Sequence, residues 1–153
     1  MGIHARFGVV VIAACVIACA ACGGGGNGGG EGGGGYGGGG TESGSTTTVD
    51  GMTAADHGTK DVAGESEVEV EADDYYFEPT ILEGKPGQTL TLEVKNEGEA
   101  EHNLTIDKQG IDKDLLSGEK ATVEVTFPAS GTVAFYCKFH TSQNMAGALK
   151  ASG

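Results

Sequence analysis

Apolar and polar residues alternate with a period of two in several short stretches beyond residue 65. The clearest of these stretches lie at residues 68–72, 90–94, 104–106, 123–127 and 133–135. Such a period is typical of half-buried β-strands, whose side chains point alternately into a core and into water. Turn residues such as Asn96-Glu97-Gly98 separate the stretches. The pattern therefore predicts an all-β domain at residues 66–153, built as an antiparallel sandwich or barrel.

Residues 1–22 have the composition of an export signal. Arg6 supplies a positive charge, and residues 7–21 are apolar. Because a membrane-spanning helix needs about 20 apolar residues, this run favours a signal, with a short membrane anchor as the alternative. The segment resembles a bacterial lipoprotein signal, in which a cysteine is lipidated: Cys22 is favoured and Cys19 is the alternative. The resemblance implies an exported lipoprotein anchored to a membrane of the cell envelope, on its periplasmic or extracellular face.

Residues 23–65 have the composition of a linker. Residues 23–40 are almost entirely glycine, and residues 41–65 are mostly polar. Such a segment has too few apolar side chains for their burial to offset the entropy lost on ordering. We therefore predict a disordered, flexible tether over residues 23–65, in which His57 is a solvated residue and not a ligand.

The charge of the chain limits its partners. Acidic residues outnumber basic residues by 22 to 9, which gives a formal net charge of -13. Such a surface repels phosphate backbones, so nucleic-acid binding is excluded. It suits a basic redox partner, such as a c-type cytochrome, because opposite potentials speed encounter. Solubility or a salty habitat explains the charge equally well.

Cys137 is the only one of the four cysteines that lies in the predicted domain. A disulfide framework needs pairs of cysteines, so it is excluded there. Strand parity puts Cys137 on the apolar face of residues 133–135, and it puts His102 on the apolar face of residues 104–106. The burial of both a thiol and an imidazole in an apolar core calls for an explanation.

The run from Cys137 to Met145 offers that explanation. It places a thiolate, the imidazole of His140 and a thioether in one loop that leaves a strand, and His102 would add a second imidazole. Two histidines and one cysteine with a weak axial methionine form the ligand set of a blue copper site. Zinc is a weaker interpretation, because structural zinc takes four Cys or His ligands and methionine is a poor one.

The domain resembles a cupredoxin of the plastocyanin and azurin superfamily. The residues that carry the resemblance are His102-Asn103, the Cys-x2-His-x4-Met spacing of 137–145, Phe77-x-Pro79, Pro86-Gly87 and Phe135-Tyr136-Cys137. The resemblance implies a Greek-key antiparallel β-sandwich that binds one copper ion, Cu(I) or Cu(II), with His102, Cys137 and His140 as strong ligands and Met145 as the weak axial one. It also implies that electrons pass through the ring edge of His140. Many relatives have glycine where this chain has Asn144, so we expect a positive φ there, which asparagine tolerates.

The function expected from this resemblance is one-electron transport by a monomer at the cell envelope. Two alternatives remain: a copper chaperone or storage protein without electron transfer, and a metal-free β-sandwich binding module. We expect no enzymatic activity. Copper enzymes of this fold carry additional histidines for further coppers, and removal of the signal leaves only His57, His102 and His140.

Overall fold

The computed structural model describes residues 44–153, and twelve strands make up nearly all of its regular structure. The strands are β1 (Thr46–Val49), β2 (Met52–Ala55), β3 (Thr59–Asp61), β4 (Glu67–Asp73), β5 (Tyr76–Glu78), β6 (Ile81–Gly84), β7 (Thr89–Asn96), β8 (His102–Ile106), β9 (Ile111–Leu115), β10 (Lys120–Thr126), β11 (Thr132–Tyr136) and β12 (Ala146–Ala151). Two single 3-10 turns, Asp107–Gln109 and Thr141–Gln143, are the only helical elements in this part of the chain.

Two sheets face each other across one core. The four-stranded sheet has the order β10-β7-β4-β5, and the six-stranded sheet has the order β3-β6-β12-β11-β8-β9. The chain crosses between the sheets repeatedly, and the crossings from β7 to β8 and from β10 to β11 lead into the strands that carry or precede the predicted ligands. The predicted all-β sandwich is confirmed, although its sheets are mixed: β4 with β7, β6 with β12 and β3 with β6 are parallel pairs.

The core lies between the sheets and follows the predicted alternation. In β4, every second residue (Val68, Val70 and Ala72) is buried, while the glutamates between them are exposed. Phe77 and Phe135 meet edge to face at 5.1 Å between ring centroids. Each fully buried large apolar side chain contributes roughly 1.5–3 kcal/mol to the free energy of unfolding.

The folded region begins earlier than the sequence pattern indicates. Strands β1 and β2 form an antiparallel hairpin whose turn, Asp50-Gly51, has positive φ at both residues, as a tight hairpin turn requires. Strand β3 pairs in parallel with β6. The prediction that the flexible linker extends to residue 65 is therefore wrong for residues 46–61.

The hairpin folds because its small residues are buried against the six-stranded sheet. Val49 and Ala54 pack against Ala146 and Ala148 of β12, on the outer face of the six-stranded sheet. The backbone N–H of Ala55 also donates to the carbonyl of Asn144 at 2.9 Å. Threonine and alanine give a weak hydrophobic signal in the sequence, and their burial depends on a strand that follows about 100 residues later.

His57 is also part of the folded region and not a solvated tether residue. Its backbone N–H donates to Oγ1 of Thr80 at 2.7 Å. Its ring stacks on the ring of Tyr76, with 3.5 Å between centroids and an angle of 7° between planes. The predicted signal at residues 1–22, with Cys19 and Cys22, and residues 23–43 of the predicted linker lie outside the described residues. Within residues 44–153, no helix is long and apolar enough to cross a membrane.

A charge placed under the hairpin tests whether the hairpin belongs to the fold. We expect Ala54→Asp to lower the free energy of unfolding by about 2 kcal/mol or more, because Ala54 is fully buried and a buried carboxylate there has no partner. The neighbouring exposed residue gives the matched control: Thr53→Asp should change this energy by less than about 0.5 kcal/mol. Equilibrium urea unfolding measures both, and equal effects would contradict the packing of this hairpin.

Candidate metal centre

His102 enters the interior because β8, which begins with it, is buried along its whole length. The strand lies between β11 and β9 in the six-stranded sheet. Leu104 and Ile106, which share the parity of His102, belong to the main core, and His102 itself has no exposed surface. Its inward position agrees with the strand parity of the sequence.

Cys137, His140 and Met145 lie in one loop, residues 137–145, which joins β11 to β12; we call it the ligand loop. Two backbone hydrogen bonds close it: the N–H of Cys137 donates to the carbonyl of Met145 at 3.0 Å, and the N–H of His140 donates to the carbonyl of Cys137 at 3.1 Å. Asn144 ends the 3-10 turn in the left-handed region, with a φ of 63°. The positive φ expected at this asparagine is confirmed.

Three of the four predicted ligands present their donor atoms to one another. Nδ1 of His102 lies 3.2 Å from Nδ1 of His140, and Sγ of Cys137 lies 3.4 Å from the same His140 atom. The ligand atoms of these three residues, which we call the His-Cys-His cluster, all lie within 4.8 Å of one another. Met145 is fully buried in the same apolar core as Cys137.

The interior environment sets the ionisation of the cluster. Burial raises the pKa of the Cys137 thiol, while the backbone N–H groups of Phe139, Asn103 and His140 act in the opposite direction. Loss of water lowers the pKa of His140, and the adjacent His102 lowers it further. At neutral pH the metal-free cluster therefore holds a thiol and, at His140, a neutral imidazole with a lone pair available for a metal.

A polar network next to Cys137 joins the ligand loop to β8 and β9. The side-chain amide of the buried Asn103 donates to Asp112 at 2.7 Å and to Asp114 at 2.8 Å. Lys138 binds the same two carboxylates at 2.7 and 2.8 Å, and they raise its pKa to about 12. The network links Lys138, which follows Cys137, to Asn103 of β8 through two carboxylates of β9.

Two residues that contact the cluster were not predicted from the sequence. The ring of Tyr75 lies 4.5 Å from the ring of His140, between centroids, and remains 39% exposed. Oδ1 of Asp74 lies 2.9 Å from Nε2 of His102. Both residues belong to the turn between β4 and β5, and the run Asp73-Asp74-Tyr75-Tyr76 carries no motif that separates them from an ordinary exposed turn.

The profile of the cupredoxin-like domain family matches residues 48–149. The chain belongs to this family. The match begins within the β1–β2 hairpin of this cupredoxin-like chain, in agreement with the folded region seen in the structure. No curated protein sequence matches the chain.

Solved structures share the fold at low sequence identity. A dithionite-reduced auracyanin from Roseiflexus castenholzii is 20% identical, with a TM-score of 0.50 over 58% of this chain and 98% of that one. The metal-binding domain of the Cu(I)-exporting P-type ATPase of Streptococcus pneumoniae D39, solved with Cu(I), is 12% identical, with a TM-score of 0.51 over 61% of this chain and 97% of that one. At such identities these similarities show the cupredoxin-like fold alone.

The donor atoms of the cluster fit the copper ion that the family implies. A thiolate and a thioether are soft ligands that suit Cu(I), and imidazole nitrogen binds copper as well. The three donors of the cluster converge from two separate segments, β8 and the ligand loop. The surrounding apolar core limits the access of water, which is a further means by which a protein controls a metal.

Burial of Cys137 predicts slow alkylation of the metal-free cupredoxin-like chain. Its side chain has no exposed surface, and its raised pKa leaves little thiolate at pH 8. We expect iodoacetamide to modify Cys137 at least about tenfold more slowly in the folded chain than in urea, because reaction requires local opening. Peptide mapping by mass spectrometry isolates Cys137 from the N-terminal cysteines. Equal rates in the two solvents would contradict the buried position.

Proposed function

We propose that the chain is a mononuclear copper protein that carries single electrons. His102, Cys137 and His140 would be the strong ligands of one copper ion, and Met145 the weak axial ligand. The observation that carries this proposal is the convergence of two Nδ1 atoms and one Sγ atom in a buried site. When bound, the copper ion would supply a one-electron couple between Cu(I) and Cu(II).

The protein would hold its ligands in one geometry for both oxidation states. The closed ligand loop and the Asn103 network limit movement of Cys137 and His140. A ligand frame that changes little on reduction lowers the reorganisation that electron transfer requires. His140 is the half-buried member of the cluster and stands beside Phe139, which is 45% exposed. We therefore propose the ring of His140 as the route by which electrons enter and leave.

We propose no catalytic activity. A second copper centre needs additional histidines, and His57, the remaining histidine of residues 44–153, stacks on Tyr76.

We further propose that the protein is exported and anchored through a lipid on Cys22 or Cys19, facing the periplasm or the exterior. The signal-like residues 1–22 support this location.

Copper delivery or storage is the second candidate function. It is favoured by the fold shared with the metal-binding domain of a Cu(I)-exporting ATPase. Against it, His102, Cys137 and Met145 are all fully buried, whereas handing over a metal ion requires ligands that a partner can reach. A metal-free binding module is the third candidate, and it would leave the His-Cys-His cluster without a role.

The absorption spectrum of the copper-loaded protein tests the proposal. We expect one equivalent of Cu(II) to give the full-length chain an intense visible band, because the Cys137 thiolate transfers charge to copper. Cys137→Ala should abolish the band, whereas Cys22→Ala, the matched control outside the described domain, should leave it unchanged.

The other outcomes of this experiment separate the candidate functions. A reversible one-electron wave in voltammetry, together with the band, supports an electron carrier. A Cu(II) complex without the intense band, which after reduction by ascorbate passes Cu(I) to a chelator within minutes, would instead favour copper delivery. A chain that binds no copper at all would contradict both and favour the metal-free module.

The acidic surface predicts salt-sensitive electron transfer to a basic partner. With a formal net charge of -13, the reduced protein should be attracted to a basic c-type cytochrome. We expect the second-order rate to fall by about tenfold between about 10 mM and about 200 mM salt, because ions screen the attraction. Stopped-flow absorbance measures this rate, and an acidic cytochrome is the control, for which salt should increase it. A rate independent of salt would contradict electrostatic steering.

A further inference from the structure

We infer that Asp74 is a positioning residue for His102, and that its carboxylate stabilises the oxidised state of the proposed copper site. This inference rests on the proposed function, since it concerns how the same site is tuned. It starts from one contact: Oδ1 of Asp74 lies 2.9 Å from Nε2 of His102, on the ring nitrogen opposite to the one that faces His140.

The contact fixes which nitrogen of His102 carries the proton. An ionised carboxylate only accepts hydrogen bonds, so Nε2 of His102 must be the donor. Nδ1 is then left with its lone pair, directed toward Nδ1 of His140 at 3.2 Å. Hydrogen bonding of this kind fixes the tautomer and orientation of a ligating imidazole and raises its basicity.

Asp74 is itself held in place by the backbone of the next loop. The N–H of Glu99 donates to Oδ2 at 3.1 Å, and the N–H of Ala100 donates to Oδ1 at 3.3 Å. These bonds, together with the contact to His102, hold the carboxylate in one position. Asp74 lies at the surface, with 31% of its side chain exposed, so its effect on the site depends on its direct contact with the buried ring of His102.

Gly98 leaves the space in which this pair lies. A Cβ atom at Gly98 would stand 2.3 Å from Oδ1 of Asp74 and 2.9 Å from Nε2 of His102. Asn96, which is fully buried, holds this loop by accepting from the N–H of Gly98 at 3.0 Å and donating to the carbonyl of Ala100 at 2.8 Å. The loop therefore fits around the Asp74–His102 contact, and the contact does not depend on a freely rotating surface side chain.

The direction of the electrostatic effect follows from charge. A fixed negative charge next to a metal ligand favours the more positive metal ion, so Asp74 should favour Cu(II) over Cu(I). Glu99 has the same charge one loop away, but its side chain is exposed to solvent. The interaction of two charges weakens with their separation and with the water and salt between them, so a carboxylate bonded directly to the buried ring of His102 should act on the site more strongly than the side chain of Glu99. Asp74 and Glu99 therefore form a matched pair for experiment.

The first test is the reduction potential of the copper-loaded, full-length chain. Asp74→Asn keeps the shape and an acceptor oxygen but removes the charge. We expect it to shift the equilibrium toward Cu(I) by about tenfold, which corresponds to about 59 mV for one electron. Glu99→Gln should shift the equilibrium by less than about twofold, because its charge is screened. Equal shifts in the two variants, or a shift of Asp74→Asn toward Cu(II), would overturn the inference.

The second test needs no copper and so separates this inference from the proposed function. Nitrogen NMR of the metal-free chain reports the tautomer of the His102 ring. We expect one tautomer, protonated at Nε2, in the unaltered chain and in Glu99→Gln, and a mixture in Asp74→Ala and in Gly98→Ala. Backbone amide spectra check that each variant is folded.

The two tests distinguish a failure of the positioning role from a failure of the proposed function. A single Nε2 tautomer in folded Asp74→Ala would refute the positioning role, whatever the copper site does. If the chain forms no coloured copper complex while the tautomer depends on Asp74, the proposed function fails and the positioning role stands. If Asp74→Ala does not fold, Gly98→Ala supplies the tautomer readout and Asp74→Asn supplies the reduction potential.

Discussion

The structure depends on the requirement that polar groups buried in an apolar core must have partners. Two imidazole rings and a thiol meet between the sheets, where His102 and Cys137 have no exposed surface. The polar atoms of the two buried residues contact other polar groups: Nε2 of His102 meets Asp74, its Nδ1 meets Nδ1 of His140, and Sγ of Cys137 lies close to the same His140 atom. Among the described residues, no buried side-chain nitrogen or oxygen lacks a hydrogen-bond partner. The site is thus arranged before any metal binds.

Hydrogen bonds of the surrounding backbone and side chains hold this arrangement in place. The ligand loop is closed by hydrogen bonds between its own ends, and the Asn103 network attaches it to β8 and β9. The β1–β2 hairpin adds a further attachment, since Ala55 binds the carbonyl of Asn144 immediately before Met145. An interior packed at crystal-like density resists small displacements. The fold therefore holds the ligand residues in place, as the proposed electron carrier would require.

Charge acts on this site over two distances. Across the whole chain, the excess of acidic residues would govern encounter with the proposed basic partner, and salt would weaken this effect. At the cluster, the carboxylate of Asp74 acts through a short hydrogen bond on a fully buried ring. The first effect would change how often the proposed partner arrives, and the second would change which oxidation state the proposed copper site prefers. The two differ because only the second involves a carboxylate in direct contact with a ring of the cluster.

The sequence by itself determined the amphipathic strands and the ligand candidates. Alternating residues in β4 and β7 predict strands because each carries its own apolar face, and the spacing of Cys137, His140 and Met145 is local to one loop. Only the tertiary structure decided that residues 46–61 fold, because Ala54 is buried by β12 and not by any pattern of its own. It also decided the role of Asp74, which lies 28 residues before His102 and meets it only when β5 and the loop after β7 come together. Periodicity reports which face of a segment is apolar, whereas partnership between distant polar side chains exists only once the chain has folded.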